Sequence, residues 1–188
     1  MGVFDFICKN RQFRQALGDS RQRLYRMALA WTRDPALADD LTQEAMTRGL
    51  KNAQQLRDPE RMNAWMFRIL SNCWHEHLRR QKPGVPLDDI ELVDSHTPER
   101  EQQQQNIVSR VQAEIARLPV GQRQVVTLVD IEGLSYAETA EALEVPVGTV
   151  MSRLNRARTN LREALGDMRS EVCEPQPQPQ PAVLRRVK

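Results

Sequence analysis

"GLSYAETAEALEVPVGTVMSRLNRARTNLREAL", residues 133–165, decides how the rest of the chain is read. Ser135 and Glu138 stand at the S-x-x-E spacing of a capping box, in which the two side chains satisfy backbone N–H groups reciprocally. This predicts a short helix through Leu143. "EVPVG" follows at 144–148, and Pro146 has no N–H to continue a helical ladder, so the chain turns. A second helix is expected from about Gly148. At about 100° per residue, Val147, Val150, Leu154, Ala157, Leu161 and Leu165 fall on one arc. The opposite arc presents Thr149, Ser152, Asn155, Arg156 and Thr159, flanked by Arg153. That is a helix-turn-helix whose second helix shows short polar and basic groups outward, as reading base edges in a major groove requires. On these residues alone, an ordinary helical hairpin with a solvated basic face is the competing reading.

Working outward, the pattern stays helical. Ile107, Val108, Val111, Ile115 and Leu118 trace one helix face up to Pro119, and "GQRQVVTLVDI" gives another helix ended by Gly133. Upstream, "RQRLYRMALAWT", "PALADDLTQEAMTRGLKNA" and "DPERMNAWMFRILSNCWHEHLRRQK" carry apolar residues at spacings of three and four. Between these groups, 83–105 holds prolines, a cluster of acids and a glutamine run, which reads as a flexible acidic linker. The stretch 167–188 ends in alternating Pro and Gln, which cannot form a helix and is read as a disordered tail. The expected fold class is therefore all-α: two small helical domains, 1–82 and 106–166, joined by that linker.

Charge totals do not point to a partner, because 27 Lys+Arg against 25 Asp+Glu leave only +2. The distribution has to decide. Cys8, Cys73 and Cys173 are far apart and odd in number, which suits reduced thiols in a cytosol better than a disulfide framework. The N-terminal residues lack the charge order of a secretory signal, and no apolar run approaches the length of a membrane span. A cytoplasmic protein with no membrane insertion of its own is expected.

"NCWHEH", 72–77, is the stretch that most resembles chemistry. On a helix Met62, Met66, Ile69, Leu70, Cys73 and His77 share an arc, with Trp74 at its edge. His75 points roughly away, so the three cannot jointly hold one metal, and zinc wants three or four protein ligands. No metal and no cofactor are expected. The opposite side is more informative: Arg68, Ser71, Asn72, His75 and Arg79 line up as a polar stripe beside Trp65, suited to a nucleic-acid backbone and unstacked bases. Nothing in the chain pairs a nucleophile with a base or forms a phosphate loop, so no enzymatic activity is expected.

With both motifs in place, the chain resembles an extracytoplasmic-function sigma factor, the minimal two-domain class of the sigma-70 family. "DPALADDLTQEAMTRGL" resembles region 2.2, "NAWMFRILSNCWHEHLRR" regions 2.3 and 2.4, and "LPVGQRQVVTLVDIEGLSYAETAEALEVPVGTVMSRLNRAR" region 4. The resemblance implies partners and roles. Asp39, Asp40, Gln43 and Glu44 would dock on the β′ clamp helices of core RNA polymerase, with the β flap as a further contact. "NAQQL", including Asn52, Gln54, Gln55 and Leu56, would form a pocket for a base flipped from the −10 element, with Asn72 lining it. Trp65, Arg68, His75 and Arg79 would hold the opened strand, while Thr149, Ser152, Arg153, Asn155 and Arg156 read the −35 element. A stress-responsive role under a partner anti-sigma protein is implied by the class. An autonomous helix-turn-helix regulator binding duplex operators is the alternative; it leaves the stripe and the acidic face without work. A redox or metal sensor using Cys73 and His77 is a further alternative from another class.

Overall fold

The computed structural model describes residues 3–56, 58–81 and 107–166. The expected linker and tail lie outside them. Seven α-helices carry the fold, and no strand occurs among the described residues. The first block holds α1 (Val3–Thr32), α2 (Pro35–Lys51) and α3 (Met62–Gln81). The second holds α4 (Ile107–Arg117), α5 (Val120–Val126), α6 (Tyr136–Leu143) and α7 (Val147–Ala164).

Local chemistry sets the ends of these helices. Arg33 adopts a left-handed φ of 62° and stops α1. Asp34 then caps α2, its Oδ1 accepting from the N–H groups of Ala36 and Leu37, with Pro35 at the first helical position where its missing donor costs nothing. Asp58 repeats the device before Pro59, leading through a short 3-10 turn into α3. Thr127–Ile131 prolongs α5 as a π-helical turn, and Gly133, at φ 74°, ends it.

The first block closes by α1, α2 and α3 packing mutually around Leu17, Leu24, Met27, Ala38, Leu41, Met66, Phe67 and Leu70, all buried. Gly49 lets α2 approach α3 closely: a Cβ there would meet the Met66 Sδ at 2.8 Å. In the second block α7 lies across α5 and α6, burying Val150, Leu154 and Ala157 as the wheel requires. Two apolar residues depart from the expected arcs. Val147 is 43% exposed, because it opens the first turn of α7, and Val108 is 59% exposed at the start of α4.

The two blocks do not stand apart. α3 packs along α6, α1 touches α4 and α5, and the buried apolar cluster runs continuously through both. Buried polar groups help to pin them. Trp31 Nε1 donates to Thr127 Oγ1 at 2.8 Å. His75 Nε2 donates to Gln124 Oε1 at 2.9 Å, with both groups buried. Arg123, only 1% exposed, donates to the Trp31 carbonyl at 2.7 Å and to the carbonyls of Ala116 and Leu118 within its own block. A cation held by carbonyls at the ends of α1 and α4 meets the negative pole of each helix. Burial still lowers its pKa, to about 10, because the charged form has left water.

Candidate nucleic-acid interface

The helix-turn-helix forms as its sequence requires. Ser135 Oγ accepts from the Glu138 N–H, and the Glu138 carboxylate accepts from the Ser135 N–H at 2.9 Å, completing the capping box. These bonds hold the Glu138 carboxyl below its usual range. Glu144 takes the left-handed conformation (φ 55°) that ends α6, and Pro146 leads into α7. On α7, Ser152, Asn155 and Arg156 are exposed and Thr149 half-exposed, whereas Arg153 is partly buried, with its Nε enclosed and its charge near enough to act on His75. The Ser152 hydroxyl donates to the Thr149 carbonyl at 3.0 Å, leaving its lone pairs outward. Arg158 forks onto Asp130, fixing α7 to the π turn. Met151 was not anticipated: it stands 53% exposed beside this face, a soft apolar group of the kind that meets a thymine methyl. Its signal was an apolar residue falling outside the buried arc.

The acidic face on α2 is also present, with part of its charge engaged. Asp39 pairs with Arg21 at 2.9 Å and accepts from Gln43 Nε2 at 2.7 Å. Glu44 pairs with Arg48, whose guanidinium also forks onto both Glu76 carboxylate oxygens at 2.8 Å. Asp40 and Gln43 stand exposed. Arg48 is thereby held more basic than usual, and Glu76 more acidic.

The segment after α2 curls into a 3-10 turn at Ala53–Gln55. Asn52 donates to the Arg48 carbonyl and accepts from Gln55, Gln54 and Gln55 are exposed, and Leu56 packs against the core. Trp65 meets Phe13 edge-on, with ring centroids 6.3 Å apart.

Along α3 the expectation needs correction. The stripe was read as a solvent face, and the second block covers part of it. Arg79 is exposed, but His75 is 8% exposed and Ser71 fully buried, both meeting Gln124 of α5. Arg68 is exposed yet paired with Glu144 at 2.7 Å, and Arg61, just before α3, pairs with Glu141 at 2.9 Å. Burial pushes the His75 pKa down, against the hydrogen bond it donates to Gln124. The Glu144 carboxyl is pulled down chiefly by Arg68, with Asn72 contributing. A helical wheel identifies an arc; it does not say what packs there.

Cys73 is buried, its thiol pushed up to about 11 mainly by desolvation. His77 stacks on Trp74, with centroids 5.7 Å apart. Among the described residues no group of three or more His, Cys, Asp or Glu side chains is placed to hold a metal ion, and no helix is long and apolar enough to cross a membrane.

Comparison with known proteins accounts for both blocks. Residues 18–83 match the family model "Sigma-70 region 2", and 109–161 match "Sigma-70, region 4". The ECF RNA polymerase sigma factor SigM of Mycobacterium tuberculosis is 36% identical over 162 residues, covering 85% of this chain and 80% of that protein. The chain belongs to the ECF sigma factors. Among solved structures, the sigma factor RpoE of Bartonella quintana, in complex with the anti-sigma factor NepR, is 25% identical with a TM-score of 0.66, over 83% of this chain and 98% of that one. CnrH, in complex with the cytosolic domain of CnrY, is 26% identical with a TM-score of 0.60, over 84% and 89%. In this sigma factor α1–α3 therefore correspond to region 2 and α4–α7 to region 4.

Proposed function

We propose that this sigma factor directs core RNA polymerase to promoters by dividing recognition between its two helical blocks. The observation that carries the reading is α7: its apolar side is sealed by Val150, Leu154 and Ala157, and its outward side carries Asn155, Arg156, Ser152 and Thr149. Set into the major groove of the −35 element, these groups supply donors and acceptors to base edges, Arg156 supplies a donor fork, and Met151 an apolar contact. Asn52, Gln54, Gln55, Leu56 and Asn72 surround the base flipped from the −10 element. Trp65, Arg68, His75 and Arg79 hold the opened strand, so stacking lost on melting is offset by new contacts. Asp40, Gln43, Asp39 and Glu44 present the anionic face to the polymerase clamp helices, with the β flap receiving region 4. No covalent chemistry is involved. An anti-sigma partner holds the protein until a stress releases it; the complex of the Bartonella sigma factor RpoE with the anti-sigma factor NepR supports that arrangement.

Transcription reconstituted with bacterial core enzyme, on promoters selected by this protein, tests the reading. Arg156→Ala should reduce initiation from −35-dependent promoters by about tenfold, the scale of losing one bidentate base contact at 1–3 kcal/mol. Unchanged selectivity would remove α7 from −35 reading, and absence of any start-site-specific RNA would overturn the function.

A further inference from the structure

The joint between the blocks has the chemistry of a nucleic-acid complex with protein groups in place of the DNA. Two carboxylates of the second block, Glu141 and Glu144, sit on two arginines of the first, Arg61 and Arg68, at 2.9 and 2.7 Å. A side-chain amide, Gln124, meets His75 and Ser71 as a base edge would. From these placements we infer that α6, its terminal turn and α5 form an autoinhibitory strap across the α3 stripe, with Glu141 and Glu144 standing where DNA phosphates would lie.

The inference rests on the proposed role of the stripe. Its physical basis is separate. Arg68 gives its Nε and Nη2 to Glu144, and His75 gives its Nε2 to Gln124, so these donors are engaged within the protein in this conformation. The −35 helix meanwhile stays outward, with Asn155, Arg156 and Ser152 exposed. The closed chain therefore presents duplex-reading groups while withholding those for single strands. Glu144 adds a second indication. It occupies a left-handed position (φ 55°), where a β-carbon is disfavoured and glycine is the usual solution. A carboxylate retained there gains its interaction outside its own helix, and the partner it meets is Arg68. Both ion pairs are about half exposed, so each is individually weak and screened by salt, as a contact that must open requires.

The full-length double variant Glu141→Gln, Glu144→Gly tests this. It removes both carboxylates, and glycine relaxes the turn, so the helix-turn-helix is preserved. A control variant, Asp19→Asn with Glu163→Gln, makes the same charge change at exposed positions away from the joint. Two readouts need no polymerase: the rate of His75 carbethoxylation by diethylpyrocarbonate, resolved from His77 by tandem mass spectrometry, and anisotropy of a fluorescein-labelled 16-nucleotide oligothymidylate. Relative to the control, the carbethoxylation rate and the oligothymidylate affinity read from the anisotropy titration should each rise by roughly three- to tenfold, as two weak exposed pairs allow. An unchanged His75 rate would show that these carboxylates do not hold the joint closed, and overturn the inference. A faster His75 rate without tighter DNA binding would show that the strap does not block the strand face, and overturn it equally. Transcription with core enzyme separates the two levels: if it persists in either case, the sigma-factor function stands and the strap alone is rejected.

Discussion

Replacing Arg123 by methionine is the most revealing perturbation of the fold. The side chains are similar in length, so the change removes charge and donors with little loss of volume. Three carbonyls, those of Trp31, Ala116 and Leu118, lose their charged donor. Hydrogen bonds to a charged group contribute about 1.5–3 kcal/mol each, so the gross loss is roughly 4.5–9 kcal/mol. Against this stands the desolvation of the guanidinium. Its pKa falls to about 10, and at about 1.4 kcal/mol per pKa unit this is a penalty of roughly 3–4 kcal/mol that methionine relieves. The net expectation is a destabilisation of roughly 1–6 kcal/mol. Urea unfolding followed by tryptophan fluorescence measures it, since Trp31 and Trp74 are both buried. Arg123→Lys should fall between, because an ammonium keeps the charge but cannot spread three donors in a flat fork. A loss below about 0.5 kcal/mol for methionine, at an unchanged m-value, would refute the claim that the buried fork organises this junction.

Two further outcomes follow from local chemistry. Ser135→Ala removes the cap of α6 and should cost about 1 kcal/mol, read as a lower midpoint in thermal unfolding; no shift would mean that the capping box is redundant. His75 has a folded-state pKa depressed by burial, with Arg79 and Arg153 acting in the same direction and Glu144 opposing. Above its ordinary value near 6.5 the imidazole is neutral whether exposed or buried, and costs nothing. As pH falls through that value the unfolded or opened chain takes up a proton first, so stability should decline towards the lower folded pKa. Urea stability compared at pH 7.5 and 5.5 should show this decline, and His75→Asn should flatten it; equal slopes in the two proteins would assign the titration elsewhere.

What could be read from the sequence, and what could not, divides along contact range. The helix-turn-helix is written in neighbours: Ser135 with Glu138, Pro146 at the turn, and apolar residues three and four apart on α7. Each signal acts within a few residues, so the expectation and the structure agree there. The joint between blocks is written in residues far apart, with 76 positions between Arg68 and Glu144 and 109 between Arg23 and Glu132. No periodicity links such pairs. For that reason His75 was placed on an outward stripe and is found against Gln124. Arg123 carried a faint local sign, a cation inside "GQRQVVTLV", whose other residues are buried or half-buried. A charge in such a run needs a partner, but the sequence does not say that carbonyls of α1 and α4 supply it.

The composition of that joint bears on whether it can open. Within the first block α1, α2 and α3 meet through leucine, methionine and aromatic side chains, whose separation would expose apolar surface at about 25 cal/mol per Å². Between the blocks, two exposed ion pairs, the Arg23–Glu132 pair with its buried carboxylate, a histidine–glutamine bond and a tryptophan–threonine bond accompany the apolar contact. Polar groups of this kind exchange protein partners for water at small net cost. Arg123 illustrates the asymmetry. Two of its carbonyl acceptors belong to its own block and one belongs to α1, so separating the blocks breaks the Trp31 bond and leaves the other two in place. The cation then regains water on one side while still bracing α4 against α5. The contacts by which Arg123 braces α4 against α5 therefore do not require the closed arrangement, which is what a strap over the strand-binding face would need of them in order to lift away intact.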